Sequence, residues 1–165
     1  MEPILMDTNV GVVANDGHPD ASPACVRSAI ARLHQLMANE ILVLDADWEI
    51  LREYERNLTP KVGPRAGNLF LRWVYNNRTN VERCHTVTLI RTPENQYEAF
   101  PTDPALAAFD LSDRKFVATA LTHPAKPLVV NATDSDWHHH REALKAHGVS
   151  VEFICPAEMT APRQN

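Results

Sequence analysis

The stretch ILMDTNVGVV, residues 4–13, contains a short apolar run, Ile4 to Met6, that ends on Asp7. An apolar run followed by turn-forming polar residues is typical of a buried strand that stops there. In a parallel sheet, ligands bind outside the carboxyl ends of the strands. Asp7 therefore occupies a position where a functional carboxylate is expected, although an aspartate that only caps a turn satisfies the same pattern.

The rest of the chain alternates short apolar runs with helical periodicity. Ser22 and Pro23 mark the start of one helix, as N-cap and first helical residue. Further runs predict strands at residues 41–44, 85–90, 127–130 and 149–154, and helices at 45–58, 68–77, 113–122 and 135–147. Residues 92–111 are predicted to be irregular, with a helical turn near Leu106. This alternation predicts an α/β fold with three α/β/α layers around a central, mostly parallel sheet.

The length and composition favour one domain. With 165 residues, 44% of them hydrophobic, the chain buries one core, and we expect a single domain at residues 1–158 with a short tail at 159–165. No apolar run is long enough to span a bilayer and no signal-peptide pattern is present, so we expect a cytoplasmic protein. Cys25, Cys84 and Cys155 are odd in number and form no CxxC pair, which favours buried reduced thiols.

The charge is unevenly distributed along the chain. The net charge is −5, but residues 59–91 contain six basic residues and one acid, Glu82. This segment therefore carries +5 and the rest of the chain −10. Arg65, Arg72 and Arg78 alternate there with aromatic and amide side chains, a composition that suits single-stranded nucleic acid. A solvated helical face is an equally common reason for such a segment.

Two acidic residues lie on predicted helices with one apolar face. In helix 45–58, Glu53 lies just outside the arc of apolar positions, so it can flank the core and still reach a cleft. Glu49, one turn earlier, competes for the same role. Asp113 follows Ser112, the predicted N-cap, and aligns with the buried stripe of helix 113–122. An acid that only stabilises the helix terminus is the alternative for Asp113.

Two more aspartates, Asp134 and Asp136, follow the predicted strand at residues 127–130, and one of them can be merely a helix N-cap. Clustered carboxylates resist ionisation unless cations neutralise them, so a cleft that gathers these acids with Asp7 requires a divalent metal. An all-oxygen ligand set suits Mg²⁺ or Mn²⁺ rather than zinc. Such ions promote phosphodiester hydrolysis.

Four segments in order resemble the motifs of the PIN domain family, the nucleases that include the VapC toxins. They are DTNV at 7–10, LREYERNL at 51–58, SDRKFVATAL at 112–121 and VVNATDSDW at 129–137. The resemblance spans nearly the whole chain. It implies a central parallel sheet, Mg²⁺- or Mn²⁺-dependent hydrolysis of RNA, and often a homodimer or an antitoxin partner.

The resemblance also implies residue roles. The family's metal-binding and catalytic acids correspond to Asp7, Glu53, Asp113, Asp134 and Asp136 in this sequence, and Asn9 would assist through a metal-bound water. Two features depart from the family pattern. About two extra residues separate the strand at 127–130 from Asp134 and Asp136, and the segment at 91–110 is longer than expected.

These observations lead us to expect a metal-dependent endoribonuclease, of which the toxin of a toxin–antitoxin pair is one form. A catalytically silent RNA- or protein-binding module with the same fold is the main alternative, and a structure-specific DNA nuclease is another. A phosphatase of the haloacid dehalogenase type is disfavoured because it needs a second aspartate where Asn9 stands. No nucleotide-binding glycine loop follows any strand. The run His138 to His140 is expected to be helix surface, because consecutive helical positions point in different directions.

Overall fold

A computed structural model describes residues 1–58 and 64–160. Its seven strands are β1 (Pro3–Met6), β2 (Ile41–Asp45), β3 (Cys84–Val87), β4 (Arg91–Thr92), β5 (Gln96–Tyr97), β6 (Leu128–Asn131) and β7 (Val151–Phe153). Five of them form one parallel sheet in the order β3-β2-β1-β6-β7, and β4 and β5 form a separate antiparallel hairpin.

Eight α-helices occur within the described residues. They are α1 (Thr8–Ala14), α2 (Pro23–Asn39), α3 (Glu49–Asn57), α4 (Ala66–Asn77), α5 (Arg114–Thr122), α6 (Ser135–His139), α7 (Arg141–Ala146) and α8 (Pro156–Thr160). Short 3-10 turns cover Pro104–Leu106 and Leu111–Asp113. None of the helices in the described part of the chain has the length and apolarity needed to cross a membrane.

The strand register brings polar residues to one edge of the sheet. Met6 pairs with Val130, so Asp7 and Asn131 follow at the same level on neighbouring strands. All five strands are parallel, and their carboxyl ends therefore share this edge. The predicted α/β fold with a central parallel sheet is confirmed, and the helices around the sheet are compatible with three layers.

A close helix contact fixes the layer that carries α1. This helix packs against α2, α3 and α4, and α4 approaches it at Gly67. A Cβ atom at Gly67 would lie 2.3 Å from the Gly11 carbonyl oxygen, so only glycine allows the two backbones to meet. The Asn15 side chain completes the contact, accepting a 2.8 Å hydrogen bond from the Gly67 N–H and donating to Asn68.

Several predicted boundaries are wrong for local reasons. The helix predicted at 45–58 begins at Glu49, because Asp45 ends β2 and its carboxylate accepts hydrogen bonds from the backbone N–H groups of Glu49 and Ile50. Ser112 does not cap α5. Asp110 caps the 3-10 turn that precedes this helix.

Two predicted segments near the C-terminus also differ from the structure. The helix predicted at 135–147 is divided at His140, and Gly148, with φ of +90°, follows its second part. The tail predicted at 159–165 begins inside α8, where Met159 is buried.

The prediction of three reduced cysteines is wrong for two of them. Cys25 at the start of α2 and Cys155 just before α8 form a disulfide, while Cys84 is a buried free thiol. The two bonded cysteines are 130 residues apart in sequence, so no short spacing motif predicts that they pair. Because disulfides persist mainly in oxidising compartments, this bond does not favour the expected cytoplasmic location, which stays a prediction.

Candidate metal centre

Three aspartates from distant parts of the chain meet at the carboxyl edge of the sheet. Asp7, Asp113 and Asp134 each offer one carboxylate oxygen, and these oxygens all lie within 4.8 Å of one another. Asp7 and Asp113 are buried and Asp134 is half-buried. We call these three residues the aspartate cluster. It lines a cleft of about 390 Å³ together with Glu53 and Asn9.

The backbone positions each member of the cluster. Asp7 is the N-cap of α1 and accepts a 3.1 Å hydrogen bond from the Asn9 N–H. Asp113 is the last residue of the 3-10 turn before α5. Asp134 is the N-cap of α6 and accepts from the Asp136 N–H at 3.0 Å. Each carboxylate therefore lies at a strand-to-helix junction or a helix start, as the sequence pattern predicts.

Asn9 and Asn131 lie next to Asp7, and each has one buried side-chain atom without a hydrogen-bond partner among the described residues. Asn131, which is fully buried, donates from Nδ2 to Asp7 Oδ2 at 3.3 Å, while its Oδ1 atom has no partner among the described residues. Asn9 Oδ1 accepts from the Ala132 N–H at 2.9 Å, and its Nδ2 atom is likewise buried without a partner there. A buried amide oxygen without a hydrogen bond is costly, so a bound ligand at this edge would relieve it.

Asp7 and Asp113 hold their protons unusually tightly. Burial, followed by the charges of neighbouring acids, raises the pKa of Asp7 to about 7 against the effect of the Asn9 N–H. Burial and the nearby Asp7 and Asp134 carboxylates raise the pKa of Asp113 to about 9. Because the carboxylate oxygens of Asp7, Asp113 and Asp134 lie within 4.8 Å of one another, a divalent cation would displace these protons and remove the repulsion.

Glu53 lines the same cleft but is engaged by other groups. Its Oε1 atom accepts a 2.7 Å hydrogen bond from the Thr8 hydroxyl, and its Oε2 atom forms an ion pair with Lys115. The Glu53 and Lys115 side chains are only 15% and 8% exposed. Tyr54 holds this part of α3 to the end of β1 through a 2.5 Å hydrogen bond to the Met6 carbonyl. Glu53 therefore borders the aspartate cluster with its charge already compensated.

Asp136 lies outside the aspartate cluster and does not line the cleft. Its Oδ2 atom accepts a 2.9 Å hydrogen bond from the Asp110 N–H, and its Oδ1 atom lies 3.1 Å from His140 Nδ1. These contacts brace the segment that leads into Asp113. Of the two aspartates that follow β6, Asp134 therefore joins the cluster, and Asp136 supports a neighbouring loop. Glu49 does not line the cleft either and forms an ion pair with Arg52.

Of the four residues predicted to bind nucleic acid, Asn9 lines the cleft, whereas Arg65, Arg72 and Arg78 are distributed along α4. Arg65 donates to the Asn15 carbonyl, Arg72 is exposed, and the Arg78 guanidinium lies over the Trp48 and Tyr75 rings. None of the three lines the cleft of the aspartate cluster. Residues 59–63, which belong to the predicted basic segment, lie outside the described residues.

Sequence reasoning missed Lys115, Thr8 and Asn131. Lys115 lies two residues after Asp113, in the first turn of α5. Its closeness in sequence to a predicted site residue was the only sequence feature that could have identified it. Thr8 lies beside Asp7 in the same motif. Asn131 pairs with Phe153 at the end of β6, and it could have been found as the polar residue that ends the apolar run of that strand.

The cluster has the chemistry of a hard-cation site. Its donors are carboxylate oxygens with a buried amide oxygen beside Asp7, and such ligands suit Mg²⁺ or Mn²⁺. The residues present therefore fit a hard divalent cation, and three of the five predicted acids lie close enough together to share one ion. Comparison of this chain with protein-family models, with curated proteins and with solved structures finds no match.

Proposed function

We propose that this protein is a metal-dependent endoribonuclease that hydrolyses phosphodiester bonds in RNA. The observation that carries the proposal is the convergence of Asp7, Asp113 and Asp134 at the carboxyl edge of a parallel sheet. The order of four sequence motifs that resemble the PIN domain family supports the same function. The association with an antitoxin and the homodimer stay predictions from that resemblance.

The residues have distinct roles in the proposed site. Asp7, Asp113 and Asp134 would hold one Mg²⁺ or Mn²⁺ ion, and Asn131 orients Asp7 through its 3.3 Å hydrogen bond. The bound ion would polarise the phosphodiester and lower the pKa of an attacking water. Asn9 lines the cleft, and its buried amide nitrogen, which has no partner among the described residues, would be free to donate to a bound ligand.

Lys115 supplies the remaining local positive charge. It is buried beside the cleft, where it neutralises Glu53 and donates to the Ser112 carbonyl. By compensating Glu53, it limits the negative charge that an approaching phosphodiester meets. Glu53 is thereby assigned a supporting role rather than that of a metal ligand.

A cleavage assay with matched variants tests the proposal. Purified protein is incubated with labelled single-stranded RNA and Mn²⁺, and the Asp7→Asn variant is compared with Asp20→Asn, which makes the same change at an exposed carboxylate. We expect Asp7→Asn to lower the cleavage rate at least about 100-fold, since loss of a supporting residue alone costs 10- to 100-fold in metal sites. Asp20→Asn should cleave like the parent. Equal cleavage by Asp7→Asn and the parent contradicts the proposal.

A catalytically silent RNA- or protein-binding module is the second candidate. The specific observation in its favour is the ion pair that removes Glu53 from the set of available ligands, leaving three carboxylates where the resemblance implies more. Calorimetric titration with Mn²⁺ separates the two. The nuclease requires saturable binding that depends on Asp113, whereas a silent module predicts no carboxylate-dependent binding.

A further inference from the structure

A second cavity, separate from the aspartate cluster, lies along the outer side of the edge strand β3. It has a volume of about 740 Å³ and is lined in part by Trp48, Arg78, His85 and His123. Among the residues that the structure describes, strand β3 pairs only with β2, so no described strand lies on this side of β3. Val81, which also lines the cavity, is 76% exposed.

Trp48 is held there in a strained backbone conformation. Its φ and ψ angles are 62° and 26°, a left-handed region that bulky residues rarely adopt. The turn is fixed by Asp45, whose carboxylate caps α3 and whose carbonyl accepts a 3.1 Å hydrogen bond from the Trp48 N–H. Such strain persists only where the surroundings enforce it, and it is concentrated at functional sites.

The Arg78 guanidinium lies close to two aromatic faces. Its Cζ atom is 5.9 Å from the Trp48 ring centroid and 5.5 Å from that of Tyr75, which is 38% exposed. No ion pair found within residues 1–58 and 64–160 involves Arg78, and its side chain is exposed. An arginine with no carboxylate partner beside two aromatic rings can contact an external anion without breaking an existing ion pair.

We propose that Trp48, Arg78 and Tyr75, here called the aromatic platform, bind single-stranded RNA by stacking a base and contacting its phosphate. This proposal rests on RNA as the substrate in the proposed function. Aromatic faces give sequence-tolerant stacking, and arginine adds a phosphate contact, the combination that single-stranded nucleic acids use. The net charge of +5 in residues 59–91 attracts the same ligand.

The position of the platform suits a strand that also reaches the cleft. Trp48 directly precedes α3, and Glu53 of the same helix lines the cleft. One helix therefore connects the platform to the cleft, so a single RNA strand that lies along α3 would contact both.

Binding measurements without metal test the platform independently of cleavage. Fluorescence anisotropy of a labelled single-stranded RNA is followed in EDTA for the parent, Trp48→Leu and Trp48→Phe. We expect Trp48→Leu to weaken binding at least about fivefold, since it removes the stacking face. Trp48→Phe retains an aromatic ring and should bind within about twofold of the parent. Thermal melts establish that both variants are folded to the same extent.

The arginine contact has its own matched control. Arg72 is exposed on the same helix, so Arg72→Gln removes the same charge as Arg78→Gln without changing the platform. Arg78→Gln should weaken binding more than Arg72→Gln does and reduce the slope of log affinity against log salt by about 1. Trp48→Leu should leave this slope unchanged.

The possible failures can be told apart. If Trp48→Leu binds RNA like the parent, or if Trp48→Phe loses as much affinity as Trp48→Leu, the platform is refuted, whether or not the protein cleaves RNA. Absence of RNA binding by the parent at low salt refutes it as well. Binding that depends on Trp48 without any Mn²⁺-dependent cleavage supports the platform and refutes the nuclease.

Discussion

Lys115 on α5 and Glu53 on α3 form a buried ion pair at the border of the aspartate cluster. Thr8, the residue after Asp7, donates to the other oxygen of the same glutamate. The pair therefore joins three elements around the cleft: α1, α3 and α5. The resemblance implies that Glu53 is a metal ligand, but the ion pair holds its carboxylate to Lys115. The three aspartates alone lie close enough together to share one ion among the described acids.

Breaking this ion pair should be costly. Lys115→Met leaves the half-buried Glu53 carboxylate without its cationic partner. We therefore expect the free energy of unfolding to fall by more than the ~1 kcal/mol typical of an exposed pair, and by up to about 3–5 kcal/mol. The double variant Lys115→Met/Glu53→Gln should recover most of that loss, because no unpaired charge remains. Chemical denaturation of the metal-free proteins measures both values.

The surface pair of Arg52 and Glu49 is the control for this measurement. These side chains are 48% and 37% exposed, so Arg52→Met should cost less than about 1 kcal/mol. A cost for Lys115→Met no greater than that for Arg52→Met contradicts the role of Lys115 as the compensating charge.

The two aspartates after β6 should behave differently toward metal. Asp134→Asn removes a member of the aspartate cluster and should weaken Mn²⁺ binding at least about 100-fold. Asp136→Asn changes a residue bonded to Asp110 and His140, and its Mn²⁺ affinity should stay within about threefold of the parent. Titration calorimetry measures the Mn²⁺ affinity of both variants. Equal losses of affinity in the two variants would contradict the assignment of Asp134, rather than Asp136, as the metal ligand.

The stability of the metal-free protein should fall as pH rises. Burial and neighbouring charge raise the pKa of Asp7 to about 7 and that of Asp113 to about 9, from an ordinary value of 3.8. Between the ordinary pKa of 3.8 and the raised values, the folded state therefore binds more protons than the unfolded state, and the free energy of unfolding decreases as pH rises. The contribution is complete below about pH 4 and is lost as pH rises through about 7 and then 9. Denaturation at a series of pH values in EDTA measures it.

The same protons link pH to metal affinity. Because Mn²⁺ must displace them, its affinity should increase from pH 6 to pH 9, and binding at pH 7 should release protons. Calorimetry in buffers of different ionisation enthalpy measures that release. In Asp113→Asn the fall of stability between pH 7 and pH 9 should be smaller. An unchanged pH profile in this variant would contradict the origin assigned to the effect.

The disulfide should contribute strongly to stability. Cys25 and Cys155 close a loop of 130 residues, and removing such a bond costs about 2–4 kcal/mol. Peptide mapping without reductant should recover the linked peptides, and Cys25→Ala/Cys155→Ala should lower the free energy of unfolding by this amount. Cys84→Ala, which changes the free buried thiol, is the control for the loss of a cysteine side chain. Recovery of unlinked Cys25 from protein purified without reductant contradicts the bond.

The sequence predicted the features that depend on local pattern. Ser22 caps α2 and Pro23 begins it. This start could be predicted because serine at the N-cap followed by proline at the first helical position is a strong local signal. Asp113 is buried in the turn directly before α5, and Glu53 lines the cleft from α3, close to where helical geometry predicts them. The parallel sheet follows from strands that alternate with helices.

Other features depend on partners far away in the chain, and periodicity does not reveal them. The pairing of Glu53 with Lys115 joins residues 62 positions apart, and the disulfide joins α2 to the C-terminal segment. Helix α1 was missed because its seven residues contain two valines in succession and a glycine, which resemble a continued strand. The helix pattern extends over Asp45 in the sequence because the capping role of Asp45 depends on the turn that Trp48 completes.

A crystal of the protein soaked in Mn²⁺ tests the central claim most directly. Anomalous diffraction should show one manganese peak, bound by oxygens from Asp7, Asp113 and Asp134, with Glu53 still paired to Lys115. A structure in which these three aspartates bind no ion at millimolar Mn²⁺, or in which the ion is held elsewhere on the chain, would contradict it.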